Sequence, residues 1–266
     1  MANQLVIKCG GSTLENLPAS FFEDIAALQK RGEVVTIVHG GGPAISATLT
    51  QMGIEPRFVD GLRVTDTATL QVAQMVLIGQ TNKQVVSRIQ AAGGRAAGIS
   101  GIDGATITVV QGPKYLGYVG EIRLVDPTLI TALSQSGFIP VIAPLGMDVE
   151  GQIYNINADT AAGAVAGAVG TKRLIMVTDV PGVMQDNNGT KEVLSELDEF
   201  QINELIADGV IYGGMIPKVR AALDALNHAV EEVLIINGYE PGILTRVAAG
   251  EAVGTKIVRK GRVSAQ

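Results

Sequence analysis

The chain repeats one pattern along most of its length, in which a short apolar run is followed by an amphipathic stretch. The apolar runs predict buried strands at residues 5–9, 34–38, 96–100, 106–110, 139–144, 174–178 and 232–236. The amphipathic stretches predict helices at 19–31, 44–52, 65–92, 127–136, 159–169, 198–207 and 217–227. Strands that alternate with helices favour parallel pairing, so the pattern predicts an α/β fold. The Gly170-Thr171-Lys172 break predicts two lobes, 1–172 and 173–266.

The composition excludes several classes of protein. Hydrophobic residues make up 47% of 266 residues, which is enough for a sizeable core. A net charge of −6 and the lack of tryptophan argue against a nucleic-acid surface. One cysteine and two histidines are too few for a disulfide framework or a zinc cluster. We interpret Cys9 as a buried small apolar residue, and His39 and His228 as structural or surface residues. Met1-Ala2-Asn3-Gln4 lacks a signal-peptide pattern and no apolar run reaches membrane-spanning length, so we expect a cytoplasmic protein.

Two predicted strands end directly in glycines, at Cys9-Gly10-Gly11 and at His39-Gly40-Gly41-Gly42. Ligands of open α/β sheets bind beyond the carboxyl ends of strands, where glycine N–H groups can face an anion. Lys8 beside the first pair favours a phosphate-type ligand over the alternative, a lysine that extends from an edge strand into solvent. The second loop is not a Walker A loop, because no Gly-Lys-Ser/Thr follows, and it is not a Rossmann fingerprint, because Ile45 takes the place of the last glycine. The alternative is that the glycines of this turn only allow the strand and the following helix to pack together.

Three further side chains are candidates for a site. Lys218 in Gly213-Gly214-Met215-Ile216-Pro217-Lys218 lies in the first turn of a predicted helix, where it opposes the helix dipole. Either an anion lies between this lysine and the helix end, or the lysine is solvated. Asp159 is favourable at a helix start without any function, but between Lys8 and Lys218 it would keep both charged. Arg63 follows a glycine in the irregular or hairpin segment 57–64, where it either clamps a carboxylate or is exposed.

Taken together, these segments resemble the amino acid kinase family over nearly the whole chain, and within it the branch that acts on N-acetyl-L-glutamate. The matching segments are Lys8-Cys9-Gly10-Gly11, Val38-His39-Gly40-Gly41-Gly42-Pro43, Asp60-Gly61-Leu62-Arg63-Val64-Thr65-Asp66, Asn155-Ile156-Asn157-Ala158-Asp159, Thr178-Asp179-Val180-Pro181-Gly182-Val183 and Gly213-Gly214-Met215-Ile216-Pro217-Lys218. The lysine–glycine strand end and the Asp-Val-Pro-Gly-Val turn are shared widely in the family. The segments around Arg63 and Lys218 are more specific to the acetylglutamate branch.

The resemblance implies a three-layer αβα sandwich of the carbamate kinase-like type, with an acceptor lobe first and an ATP lobe second. It also implies transfer of the γ-phosphoryl group of ATP to N-acetyl-L-glutamate, with Mg²⁺ held mainly by the ATP phosphates and no tightly bound organic cofactor. By the same resemblance, Lys8 and Lys218 stabilise the travelling phosphoryl group and Asp159 organises both lysines. The acceptor and phosphate residues that it implies are Gly41, Gly42, Arg63 and Asn155, with the backbone of Gly10 and Gly11. The ATP-binding residues that it implies are Asp179, Val180, Pro181, Gly182, Val183, Met184, Val210, Ile211 and Tyr212.

The chemistry suits these residue types, because phosphoryl transfer needs positioning and charge stabilisation more than covalent help. An acceptor carboxyl group with a pKa near ~4.3 is ionised at neutral pH and needs no general base. The alternatives are a kinase of the same family that acts on carbamate, glutamate, aspartate, an aminoadipate derivative or a nucleoside monophosphate, or a catalytically silent sensor. The first strand begins at Leu5 and leaves no room for the extra N-terminal helix of arginine-inhibited hexamers. We therefore expect an arginine-insensitive homodimer joined through the first lobe.

Overall fold

The computed structural model describes residues 4–187, 190–227 and 230–259. The strands in chain order are β1 (Gln4–Cys9), β2 (Val34–His39), β3 (Phe58–Val59), β4 (Leu62–Arg63), β5 (Ala96–Ser100), β6 (Ile107–Gln111), β7 (Gly120–Val125), β8 (Ile139–Ala143), β9 (Leu145–Met147), β10 (Ile153–Asn155), β11 (Arg173–Thr178), β12 (Met184–Asn187), β13 (Thr190–Val193), β14 (Glu196–Leu197), β15 (Glu232–Asn237) and β16 (Thr255–Val258). The α-helices are α1 (Gly11–Leu14), α2 (Ala19–Lys30), α3 (Gly42–Gln51), α4 (Thr67–Gln74), α5 (Asn82–Ala91), α6 (Thr128–Gln135), α7 (Ala158–Ala168), α8 (Glu199–Ala207), α9 (Met215–Leu226) and α10 (Ile243–Ala248). A search of these helices finds none both long and apolar enough to span a bilayer.

The centre of the molecule is a sheet in which the described residues contribute eight strands, in the order β14-β16-β15-β11-β1-β2-β8-β5. From β15 through to β5 every neighbouring pair is parallel, whereas β16 runs antiparallel to β15. The predicted α/β fold with a mostly parallel sheet is therefore confirmed. Because β1 pairs with β11, one continuous sheet crosses the predicted lobe boundary at residue 172.

Helices cover both faces of this sheet, and the alternation of side chains along β1 shows why. Leu5, Ile7 and Cys9 share one buried core with the side chains of α2, α5 and α10. Val6 belongs to a second core, which it shares with α7 and α9. Successive side chains of a strand point to opposite faces, so Lys8 lies on the same face as Val6. The lysine therefore emerges beside α7, at the end of the strand.

The helix α7 is built almost entirely from small residues. Ala161, Ala162, Gly163, Ala164, Val165 and Ala166 are all buried between the sheet and the rest of that core. Small side chains let the helix backbone approach the sheet closely, which brings the first turn of α7 near the end of β1. Asn157 caps this turn, since its Oδ1 accepts hydrogen bonds from the amides of Asp159 and Thr160 at 2.8 and 3.1 Å.

The predicted helix at 65–92 differs from the structure in one respect. Asp66 caps α4 by accepting from the Thr69 amide, but a π-helical segment at Met75–Thr81 joins α4 to α5. Apolar spacing does not reveal such a segment, because the local hydrophobic pattern remains helical through it.

The segment 57–64 does form a hairpin, from β3 and β4. A second sheet has the strand order β10-β9-β6-β7. Of these four strands, the sequence predicted only β6.

Candidate active site

The two glycine loops lie against each other at the carboxyl edge of the sheet. The Gly40 amide donates to the Cys9 carbonyl at 2.8 Å, which ties the end of β2 to the end of β1. A Cβ atom on Gly11 would lie 2.8 Å from the Gly41 nitrogen, and one on Gly40 would lie 2.9 Å from the Gly11 nitrogen. Neither position accepts a side chain without moving the other loop. The glycines therefore allow two backbones to share one small space.

A cavity of about 300 Å³ opens over these loops. Its walls include the predicted residues of the acceptor and phosphate sites: Lys8, Gly10, Gly11, Gly41, Gly42, Arg63, Asn155 and Asp159. The Lys8 Nζ lies 2.6 Å from the Asp159 carboxylate, and the two side chains are only 12% and 25% exposed. The structure thus brings together residues from four separate segments of the chain. All of the lining residues fall between positions 8 and 159.

Arg63 is the buried cation of this cavity, with only 7% of the residue exposed. Its Nη2 donates to the Gly42 carbonyl and to the Ser46 hydroxyl, both at 2.8 Å, and its guanidinium lies 4.6 Å from the Phe58 ring centroid. Burial lowers the pKa of the guanidinium, which nevertheless stays charged at neutral pH. Its Nη1 is buried and has no hydrogen-bond partner among the described residues. An unpaired buried donor on a charged group favours an anionic ligand in the cavity.

Asn155, the last residue of β10, also lines this cavity. Its backbone amide donates to the Tyr118 carbonyl at 3.0 Å, and its side-chain Nδ2 lies 3.4 Å from the Thr65 hydroxyl. The smaller sheet therefore fixes this residue by its backbone and leaves the side-chain amide at the cavity wall. Asn155 offers both a donor and an acceptor to a ligand that Arg63 holds.

A second cavity, of about 580 Å³, is lined by residues between positions 180 and 218. The predicted nucleotide residues that line it are Val180, Gly182, Val183, Met184, Val210, Ile211 and Tyr212. Lys218 lies in the same wall, and its Nζ is 3.2 Å from the Asp179 carboxylate. This hydrogen bond is the main cause of the lowered pKa of Asp179. Asp179 and Pro181 do not themselves line the cavity.

Gly182 holds the loop of this second cavity in place. Its φ is +159°, and a Cβ atom there would lie 2.5 Å from the Thr255 hydroxyl. The same hydroxyl accepts a hydrogen bond from the Val183 amide at 2.8 Å. The Asp-Val-Pro-Gly-Val turn is therefore packed on β16, a strand that the sequence did not predict.

One expected contact is not found. Asp159 forms its ion pair with Lys8, whereas Lys218 pairs with Asp179, so no single carboxylate joins the two lysines among the described ion pairs. The physical reason is the order of the strands: Lys8 lies opposite Met176 of the neighbouring strand β11, and Asp179 follows the end of that strand. Each lysine therefore pairs with a different carboxylate, Lys8 with Asp159 and Lys218 with Asp179. The sequence also missed Ser46 and Phe58, because no local pattern reveals contacts that only the fold creates.

A search of the described residues for three or more histidine, cysteine or acidic side chains grouped to hold a metal finds none. Mg²⁺ is commonly bound by one or two carboxylates together with substrate phosphates and water. A magnesium ion bound in that way needs no dedicated cluster of protein ligands.

Comparison with known proteins agrees with this geometry. A family model described as the amino acid kinase family matches residues 3–237. The acetylglutamate kinase of Brevibacillus brevis is 53% identical over 259 residues, which cover 97% of this chain and 97% of that protein. The acetylglutamate kinase of Halalkalibacterium halodurans is 46% identical over 261 residues, which cover 98% of each. A crystal structure of smu.665 from Streptococcus mutans UA159 is similar with a TM-score of 0.83 and 31% identity, covering 97% of this chain and 99% of that one. The chain belongs to the amino acid kinase family.

Proposed function

We propose that this protein is an acetylglutamate kinase, which transfers the γ-phosphoryl group of ATP to the γ-carboxylate of N-acetyl-L-glutamate. The products are ADP and N-acetyl-L-glutamyl 5-phosphate, in an early step of arginine biosynthesis. The observation that carries the proposal is the pairing of two cations in one small cavity: the buried Arg63 with its uncommitted Nη1, and the Lys8 ammonium held by Asp159. A dicarboxylate is the ligand class that such a cavity recognises at both ends.

The acceptor is oriented by these two cations. Arg63 and Asn155 bind its α-carboxylate end, and the glycine loops with Lys8 receive its γ-carboxylate. The adjoining helices α1 and α3 add free N–H groups and the positive ends of two helix dipoles at the same place. This arrangement lowers the cost of bringing one anion onto another.

The nucleotide is bound in the larger cavity, between the turn at Gly182 and the segment that contains Tyr212. All residues that line this cavity lie between positions 180 and 218, whereas those of the acceptor cavity lie before position 160. This separation supports an acceptor lobe at 1–172 and an ATP lobe at 173–266. MgATP enters as the substrate, with its metal on the phosphates.

The chemical step is an in-line displacement. A γ-carboxylate oxygen of the acceptor forms a bond to the γ-phosphorus as the bond from that phosphorus to the β,γ-bridging oxygen breaks, and ADP leaves with the electron pair. No proton moves, because the carboxylate is already ionised. Lys8 from the acceptor cavity and Lys218 from the nucleotide cavity stabilise the negative charge on the phosphoryl oxygens.

Trapping of the product tests the reaction directly. Hydroxylamine converts an acyl phosphate into a hydroxamate, so the purified protein with MgATP and N-acetyl-L-glutamate is expected to yield a coloured iron–hydroxamate complex. The same assay with carbamate, glutamate, aspartate, an aminoadipate derivative or a nucleoside monophosphate, followed by ADP release, separates the family alternatives. Formation of ADP with none of these acceptors would instead support a silent ligand-binding sensor.

The proposal includes a homodimer, joined through the first lobe and insensitive to arginine, that acts in the cytoplasm. Sedimentation velocity of the purified protein is expected to show twice the chain mass of 27.6 kDa. A monomer at assay concentration, or inhibition of ADP formation by added arginine, contradicts this part while leaving the reaction itself unaffected.

A further inference from the structure

His39 ends β2 directly beneath the second glycine loop and is completely buried. Its Nδ1 lies 3.0 Å from the Gly40 carbonyl oxygen, and its Nε2 lies 3.2 Å from the Nδ2 of Asn82. A carbonyl oxygen can only accept, so Nδ1 carries the proton and Nε2 accepts from the Asn82 amide. A neutral imidazole in this one tautomer therefore satisfies both of its ring nitrogens.

Asn82 is held as firmly as the histidine. It is fully buried at the start of α5. One of its two Nδ2 hydrogens is donated to the Val141 carbonyl at 2.8 Å, and the other is shared between the His39 Nε2 and the Ile99 carbonyl, each at 3.2 Å. Its Oδ1 accepts from the Lys83 Nζ at 3.1 Å. A Cβ atom on Gly98 would lie 1.8 Å from that oxygen. The glycine in β5 thus leaves the space that the Asn82 side chain occupies.

The π-helical segment holds the same glycine loop from another side. A Cβ atom on Gly41 would lie 2.7 Å from the Leu77 Cδ2 and 3.4 Å from the Thr81 hydroxyl. Both side chains belong to Met75–Thr81, which leads directly into Asn82. Irregular helical turns of this kind are often found at functional sites. One continuous helix therefore determines both the position of the loop and the tautomer beneath it.

The direction of the Gly41 N–H follows from the planar trans peptide. In such a peptide the carbonyl oxygen and the next N–H point in opposite directions, so a Gly40 oxygen held by His39 turns the Gly41 N–H away from the imidazole. Across residues 4–187, 190–227 and 230–259, the Gly41 amide has no hydrogen-bond partner, and Gly41 lines the acceptor cavity. We propose that His39 and Asn82 are positioning residues, which hold the Gly40–Gly41 peptide so that the Gly41 N–H faces the acceptor carboxylate. This inference rests on the proposed function for the identity of the acceptor.

The tautomer is measured first, in the unaltered protein. The chain has only two histidines, so a long-range ¹H–¹⁵N spectrum contains two imidazoles, and a His228→Asn variant assigns them. We expect His39 to carry its proton on Nδ1 at pH 7. A His39 signal with the proton on Nε2 overturns the proposal without any variant of the site.

Steady-state kinetics then separate positioning from packing. His39→Leu removes the donor to Gly40 and is expected to raise the acceptor KM by at least about tenfold, with the ATP KM unchanged within about twofold. His39→Asn puts an amide N–H where Nδ1 was and is expected to return the acceptor KM to within about threefold of the wild type. Thr36→Val is the matched control, because Thr36 is a buried residue of the same strand whose hydroxyl has no hydrogen-bond partner in the described structure. An equal rise in both KM values, or equal losses in the leucine and asparagine variants, contradicts the proposal.

A crystal structure of His39→Leu gives a readout that needs no substrate. The Gly40–Gly41 peptide is expected to rotate from its wild-type orientation, which turns the Gly41 N–H out of the cavity. An unchanged peptide in a folded variant overturns the positioning role. If the wild-type protein forms no hydroxamate from N-acetyl-L-glutamate, the proposed function fails, and the peptide orientation still decides whether His39 positions the loop.

Discussion

The two cavities differ in how far their charged side chains are withdrawn from water. The acceptor cavity has about half the volume of the other, roughly 300 against 580 Å³, and its cations are nearly withdrawn from water. Arg63 is 7% exposed and the Lys8 side chain 12%. On the nucleotide side, Tyr212 is 72% exposed, and the side chains of Lys218 and Asp179 are 31% and 63% exposed.

This difference in burial predicts a difference in energetics. A charged hydrogen bond away from water is stronger than one at the surface, where solvent competes and salt screens. Single substitutions in the acceptor cavity should therefore have larger effects than those on the nucleotide side. The exception is Lys218, because in the proposed mechanism it acts on charge that develops only as the phosphoryl group moves.

The largest effect is expected for the two lysines. Lys8→Met and Lys218→Met each remove a preorganised cation from the transferring phosphoryl group, which typically lowers kcat by ~10²–10³. Lys30→Met, at a lysine in the last turn of α2 and away from both cavities, is the control. Hydroxamate formation and circular dichroism report activity and folding. A folded Lys8 or Lys218 variant with near-normal turnover removes that lysine from the mechanism.

The next largest effect is a loss of folding stability at acidic pH, which we expect from His39 beneath the acceptor cavity. Burial lowers the pKa of His39 to about 4 from its usual 6.5. Below pH 6.5 the unfolded chain binds a proton that the folded protein does not take up until about pH 4, so acidification through this window costs stability. The full contribution is about 3 kcal/mol, lost progressively as the pH falls from ~6.5 to ~4.

Urea unfolding of the wild type and of His39→Asn at several pH values between these limits measures this effect. The carboxyl groups titrate in both proteins, so the difference between the two curves isolates the histidine. Parallel curves would mean that His39 keeps an ordinary pKa in the folded state.

Arg63→Ala is expected to weaken binding of the acceptor and to leave binding of ATP unchanged. Loss of hydrogen bonds to a buried charged group costs about 1.5–3 kcal/mol, which corresponds to a rise in the acceptor KM of roughly 10–100-fold. Arg57→Ala, an exposed arginine of the neighbouring segment, serves as the matched control. A large loss of kcat with an unchanged acceptor KM would assign Arg63 to the phosphate instead.

The smallest effect is expected at the exposed wall of the nucleotide cavity. Tyr212→Ala removes an aromatic face available for stacking on the base, worth about 1 kcal/mol, or roughly a fivefold rise in the ATP KM. Tyr115→Ala, a similarly exposed tyrosine far along the chain, controls for the loss of a surface ring. A rise in the acceptor KM as large as that in the ATP KM would remove the contrast between the two cavities.

Much of the fold followed from local patterns. The strand at 34–38 became β2 with one more residue, and the helix at 159–169 became α7 shifted by one position. The short strands β9, β10 and β14 escaped prediction, because segments of two or three residues carry no periodicity.

The sequence predicted which residues line the candidate site better than it predicted which residues they pair with. The residue types and nearby glycines favoured anion binding at Lys8, whereas at Arg63 and Lys218 they left the solvated alternative open. Their partners depended on strand order, which no local pattern encodes: Lys218 meets Asp179 instead of Asp159. His39 was interpreted as structural or surface; it is in fact buried, and its bond to Asn82 joins positions 43 residues apart.

The amino-acid sequence by itself determined the alternation of strands and helices and the family, and it singled out polar residues that line the two cavities. These properties depend on residue type and short-range spacing. Only the tertiary structure decided that two glycine loops share one space, that Arg63 is buried with a donor left unpaired among the described residues, and that the two lysines line separate cavities. Such contacts arise from the crossing of distant segments, since their distances are set by the sheet and its packed helices.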